Sequence, residues 1–181
     1  MKILGLLAAL FITTSAHAGV GLLGGLSFHN VSSGNGTQPL NRTNANSKLG
    51  GIGGLAFSTN FILLNVEVDA LYDNRVLNFG GISVNSPAIN VPVMARFSIL
   101  PMILDLGVGP YASFNVGSND LGYKSPDFGG VGSLRVMLPT PGIHIVLDGR
   151  YLFGLTDLYP IGSIHTREFQ ILAGIDVPFM N

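Results

Sequence analysis

The stretch Ile143-His-Ile-Val-Leu-Asp-Gly-Arg-Tyr-Leu-Phe-Gly-Leu155 decides how this chain reads. Its odd positions are Ile143, Ile145, Leu147, Gly149, Tyr151, Phe153 and Leu155, while its even positions include His144, Asp148 and Arg150. A β-strand sends successive side chains to opposite faces, so a strand separates these two sets and a helix mixes them. One face is therefore apolar along its whole length, and the other collects the charges.

The same two-residue period recurs along the chain. Phe169, Ile171, Ala173, Ile175, Val177 and Phe179 alternate with Gln170, Gly174 and Asp176. Leu64, Val66, Val68, Ala70 and Tyr72 stand opposite Asn65, Glu67, Asp69 and Asp73. Ile89, Val91, Val93, Ala95, Phe97 and Ile99 oppose Asn90, Met94, Arg96 and Ser98. Leu104, Leu106, Val108, Pro110, Ala112, Phe114 and Val116 oppose Asp105, Tyr111, Ser113 and Asn115. Three glycine-rich segments follow suit: Val20 to His29, Leu49 to Ser58 and Phe128 to Leu138. Eight strands are predicted, and none of the apolar rows carries a charge.

Composition says which face is inside. Only 10% of the 181 residues are charged, against about 25% in soluble domains. A soluble sandwich or a lipocalin-like binder turns its charges to water and carries more of them. Glycine is abundant, at 25 residues. No run of 18 apolar residues offers a spanning helix. A tilted strand of ten or eleven residues spans about 25 Å, the height of a membrane apolar band. The connectors alternate long and short. Ser32–Ser47, Asn74–Ser86, Gly117–Asp127 and Thr156–Thr166 are long; Thr59-Asn60, Leu100–Met102 and Pro139-Thr-Pro-Gly142 read as tight turns. The expected fold is all-β: an eight-stranded, antiparallel, up-and-down transmembrane β-barrel with a polar interior. Pro92 and Pro110 lack a backbone donor, so they are expected at bulges or outside regular pairing.

Lys2, the apolar run Ile3–Ile12 and the small-x-small pattern Ala16-His17-Ala18 follow the order of a secretory leader. Residues 1–18 are expected to be a cleaved signal peptide, and 19–181 the barrel domain. The chain has no cysteine, which excludes disulfide frameworks and thiolate chemistry. Its net charge of −1 provides no basic field for nucleic acid.

Gly107-Val-Gly-Pro-Tyr111, Asp148-Gly-Arg-Tyr-Leu-Phe-Gly-Leu-Thr-Asp157 and Phe169-Gln-Ile-Leu-Ala-Gly-Ile-Asp-Val-Pro-Phe179 resemble the outer-membrane β-barrel domain group. That group includes PorT-like and OmpA/OmpX-like eight-stranded barrels. The order and spacing of these motifs carry the resemblance, which spans essentially all of residues 19–181. It implies an outer-membrane location in a Gram-negative-type bacterium. Gly174, Val177 and Phe179 are similar to the C-terminal signal read by the barrel-assembly machinery, with Leu172 standing where a polar residue is usual.

The inward faces collect Glu67, Asp69, Asp105, Asp148 and Asp176 with Arg96, Arg135 and Arg150. A barrel of eight strands has room for side chains or one small ligand, and buried charges must pair. The expected arrangement is a charge network that plugs the lumen, with Arg150 at its centre. His29, His144 and His165 lie on different segments without metal-ligand spacing, so neither a metal nor another cofactor is expected. The strings Gly19-Val-Gly, Gly50-Gly-Ile-Gly-Gly54 and Gly129-Gly-Val-Gly132 lack the Gly-Lys-Ser/Thr of a phosphate loop. The expected role is structural or adhesin-like. The alternatives are a narrow channel or carrier for a small solute, and a lipid-modifying enzyme. The expected partners are outer-membrane lipid and the assembly machinery, with the barrel a monomer.

Overall fold

Alternating side chains build long strands here, because each strand can put one row against lipid and the other into a lumen. The computed structural model describes residues 17–34, 49–61, 64–79, 82–101, 103–117, 125–157 and 163–179. Ten strands follow in chain order: β1 (His17–Gly34), β2 (Leu49–Phe61), β3 (Leu64–Asn74), β4 (Val76–Phe79), β5 (Ile82–Asn85), β6 (Ala88–Leu100), β7 (Leu104–Asn115), β8 (Asp127–Thr140), β9 (Ile143–Gly154) and β10 (Ser163–Pro178). Eight of them form a closed barrel in which β10 returns to pair with β1. All its neighbouring strands are antiparallel. Closure leaves no open edge, which a membrane requires of a sheet. The short β4–β5 hairpin stands apart and lies between β3 and β6 in the chain.

The exposure pattern is that of a soluble protein turned inside out. Leu138, Leu147 and Val108 are 58%, 53% and 55% exposed on the outer wall, whereas Arg150, Glu67 and Asp148 are 1%, 1% and 0% exposed inside. Water would penalise both arrangements; lipid outside and ion pairing inside remove both penalties. The apolar rows read from sequence face outward on every barrel strand.

Two connectors depart from the reading. Thr59 and Asn60 are not a turn: they lie in β2 and pair with Val66 and Asn65. Pairing continues to Phe61↔Leu64, because backbone hydrogen bonds on both sides outweigh the turn preference of two polar side chains. Asn74–Ser86 is no plain excursion either, since it contains the β4–β5 hairpin. At the other tight connection, Pro139 and Thr140 still pair with His144 and Ile143, which leaves Pro141-Gly142 as the turn. Gly142 takes φ +83°, the left-handed value a type II turn demands after proline. The long polar connector lies outside the described residues over 35–48.

Pro92 and Pro110 are accommodated without a bulge. Pairing between β3 and β6 stops at Val68↔Val93 and resumes at Leu71↔Asn90 in the same register. Between β6 and β7 it stops at Pro92↔Tyr111 and resumes at Ala95↔Val108, again unshifted. The irregularity in that pair lies lower, between Ser98 and Leu100. Gly109 is needed at the gap, because a Cβ there would sit 1.9 Å from the Val93 carbonyl oxygen. The first residues of β1, His17 and Ala18, pair with Asn60 and Thr59, while the Phe179 amide donates to the Ala18 carbonyl at 2.7 Å. Residues 1–16 of the expected signal peptide lie outside the described residues.

Candidate functional site: a lumen of two charged clusters

Each strand enters the lumen with a short series of inward residues, and the barrel lines these up. On β3 the series from the tight-turn end to the loop end is Glu67, Asp69, Leu71 and Asp73. On β8 it runs from Arg135 through Ser133 and Val131 to Asp127, and on β6 from Arg96 through Met94 to Asn90. Charged residues thus gather at two levels with apolar side chains between them.

The central cluster joins three guanidinium groups to three carboxylates. Arg96 Nη2 reaches Glu67 Oε1 at 2.8 Å and Asp148 Oδ2 at 2.7 Å. Arg135 grips Glu67 with both terminal nitrogens, at 2.5 and 2.7 Å, and meets Asp148 Oδ2 at 3.0 Å. Arg150 binds Asp69 Oδ2 through Nη1 at 2.5 Å, and its Nη2 lies 2.8 Å from Asp148 and 3.2 Å from Glu67. Ser133 accepts from Arg96 at 2.9 Å and donates to Asp148 Oδ1 at 2.6 Å. The planar fork of arginine suits this crossing of the lumen, since one side chain can hold two carboxylates at fixed angles. Three positive charges meet three negative ones.

Six of the eight charged residues read from sequence therefore come together: Glu67, Asp69, Arg96, Arg135, Asp148 and Arg150. Asp105 does not join them; it is buried and accepts a 2.7 Å hydrogen bond from Ser98. Asp176 also stays apart, half-buried, with His144 Nδ1 4.0 Å away. With Asp105 and Asp176 outside it, the cluster balances three arginines against three acids. Leu172, the apolar residue in an inward row, is fully buried beside Leu23, Ile52, Ala56, Leu71 and Val146. Met94, Tyr111, Val131 and Leu152 form a second apolar cluster. Apolar side chains thus line the lumen beside the charged ones.

A second charged cluster, not singled out by residue spacing, lies at the loop end. Asp73 and Glu168 each face His29, whose Nε2 lies 3.2 Å from Asp73 Oδ2 and 2.8 Å from Glu168 Oε2. The histidines are separate in sequence, but the fold brings this one between β3 and β10 carboxylates. Arg75, just past the end of β3, turns back to contact both acids, at 3.1 and 3.3 Å. It also donates to Asn90 at 2.8 Å and Ser113 at 2.9 Å. Beside them Asp127 accepts from Tyr111 at 3.1 Å, Thr156 at 2.5 Å and Thr166 at 2.8 Å. Parity already placed His29 with Ser27 and Asp73 with Asp69. Glu168 shares the face of Gln170, one step before the apolar row at Phe169. Arg75 carried no such signal, because it lies beyond the strand period.

The family described as outer membrane protein beta-barrel domain matches residues 14–159, most of the barrel. The chain belongs to that family. This outer membrane barrel therefore sits in a Gram-negative outer membrane, with its apolar rows against lipid. No curated protein matches the chain. Among solved structures it is similar to Neisserial surface protein A, at 13% identity and a TM-score of 0.50, over 88% of this chain and 97% of that one. It is also similar to Ail, the attachment invasion locus protein of Yersinia pestis, solved with the heparin analogue sucrose octasulfate. That match has 12% identity and a TM-score of 0.43, over 88% of this chain and 99% of the other. At these identities the likeness is one of fold.

Proposed function

We propose that this barrel is a closed, non-catalytic scaffold that displays its loop end at the cell surface, where it has an adhesin-like role. The observation that carries the reading is the central cluster. Arg135 and Arg150 reach from β8 and β9 across to Glu67 and Asp69 on β3, and Arg96 on β6, beside β3, reaches across to Asp148 on β9. A ring of buried, mutually neutralised ion pairs holds side chains across the space an ion would have to cross. A plugged lumen leaves the surface-facing segments as the working part. The polar composition of residues 35–48 and the separate β4–β5 hairpin supply chemistry there.

On this reading, cleavage after Ala18 shortens β1 by two residues. Gly174 and Val177 on the last strand, with Phe179 just past its end, engage the assembly machinery, and the barrel works as a monomer in lipid. Two measurements test the proposal together. In planar bilayers the purified protein should give no stable porin-size steps. Expressed in a non-adherent Gram-negative host, it should raise attachment to host-cell matrix, and replacing 35–48 by a short turn should abolish the gain. Stable conductance with no effect on attachment would overturn the proposal in favour of a narrow channel.

A further inference from the structure

We infer that the loop end of the lumen is a divalent transition-metal site, with His29 Nε2, Asp73 Oδ2 and Glu168 Oε2 as ligands and Zn2+ as the class of ion. The three side chains come from β1, β3 and β10, are all buried, and offer donor atoms within 4.8 Å of one another. One imidazole with two carboxylates suits a first-row divalent ion better than the all-oxygen preference of calcium or magnesium.

Four features point to a cation and not to a plain hydrogen-bonded triad. First, His29 is only 5% exposed, yet among the described residues neither ring nitrogen makes a well-directed hydrogen bond. Its Nε2 nevertheless sits against two carboxylate oxygens at 2.8 and 3.2 Å. Donors around a tetrahedral zinc lie about 3.3 Å apart, so a few tenths of an ångström of outward movement would seat an ion between them.

Second, each carboxylate is held by its other oxygen. Ser27 donates to Asp73 Oδ1 at 2.6 Å, and Gln170 donates to Glu168 Oε1 at 2.5 Å. Both residues thus present Oδ2 and Oε2 to His29, the arrangement in which outer partners orient metal-binding carboxylates.

Third, the acids at this end outnumber the fixed cations. Asp73, Glu168 and Asp127 are buried here, and Arg75 is the one guanidinium among the described residues that pairs with any of them, meeting Asp73 and Glu168. Buried carboxylates in excess of their cations favour a further positive charge between them.

Fourth, Arg75 leaves room for the ion. Its contact with Glu168 Oε2 is long, at 3.3 Å, and leaves that oxygen a second lone pair. Asp73 Oδ2 accepts from Arg75 Nε at 3.1 Å and from Asn90 Nδ2 at 3.3 Å, so an ion there would take the place of the longer Asn90 contact.

The test uses untagged, full-length protein in detergent micelles, shown to be folded by its heat-modifiable gel mobility and stripped with a chelator. Equilibrium dialysis against Zn2+ should give one ion per chain. The zinc X-ray absorption spectrum of the wild-type protein should show one imidazole among oxygen donors. His29→Asn should weaken binding by more than a hundredfold, and Ser27→Ala by about tenfold. Paired His144→Ala and His165→Ala substitutions should leave it unchanged. Absence of stoichiometric zinc would overturn the assignment. So would a spectrum with two or more imidazoles, which means surface histidines, or undiminished binding in folded His29→Asn. The wild-type spectrum decides the matter even if that variant fails to fold. Neither result depends on whether the barrel conducts or promotes attachment.

Discussion

Replacing Arg150 by methionine should destabilise the barrel by about 3–5 kcal/mol, the range for stranding a buried charge. The structure says which charge is stranded. Glu67 and Asp148 keep Arg96 and Arg135, but Asp69 has no cation other than Arg150 among the described residues. Methionine preserves much of the side-chain volume, so the cost comes from the unpaired Asp69 carboxylate and not from a cavity. The chain has no tryptophan, so unfolding in urea is best followed by circular dichroism and by the heat-modifiable gel band. With a slope of about 1–3 kcal/mol per molar urea, the midpoint should fall by at least about 1 M. Arg150→Lys keeps a charge but loses the fork, and should fall between the two. Adding Asp69→Asn to Arg150→Met removes the stranded charge, so the double variant should recover part of the loss, with a coupling in the range of about 0.5–3 kcal/mol. A midpoint unchanged by Arg150→Met, or strictly additive effects of the two substitutions, would refute the idea that pairing across the lumen holds this barrel together.

Ile145 is 46% exposed on the outer wall, so Ile145→Arg should cost about 2–4 kcal/mol near the midplane while Ile145→Val stays mild. A spin label at Ile145 or Val68 should relax more with oxygen than with a water-soluble agent, and the reverse would show the face is wet. Gly109→Ala should sharply reduce the folded gel band, since its Cβ has no room beside the Val93 carbonyl. Gly51→Ala, where a Cβ meets nothing within 4 Å, should leave the band intact. An epitope inserted at Gly36 should be detected on intact cells, and detection only after permeabilisation would invert the topology.

The strand period made the wall legible, because lipid outside and charge inside impose opposite demands on neighbouring residues. Rows such as Ile143 to Phe153 satisfy both in the plainest form. The central cluster was legible for the same reason: Glu67, Asp148 and Arg150 share inward parity. Parity gives a face but not a height, so it could not separate Asp105 and Asp176 from the cluster. Heights depend on how far each strand is staggered against its neighbour, which the closed sheet determines as a whole. Arg75 was out of reach altogether, since a residue past a strand end points wherever the connector sends it. Thr59 and Asn60 looked like a turn because their side chains favour one, and the ladder on both flanks overrode that preference.

Glu67 and Arg150 are 83 positions apart in the chain, and Asp69 and Arg150 81. β3 and β9 are not neighbours in the barrel: the pairs span the lumen. A curled but open sheet could still pair Arg135 with Asp148 and Arg96 with Glu67 on neighbouring strands, but it would leave Asp69 without the arginine it meets across the lumen, in surroundings that punish a bare ion. The barrel has no comfortable halfway house. Bringing β1 to β10 both seals the hydrogen-bonded wall and lets Asp69 meet Arg150 across it, so the two gains arrive in one event. The Asp69–Arg150 contact thus works as a latch that engages when the last seam shuts.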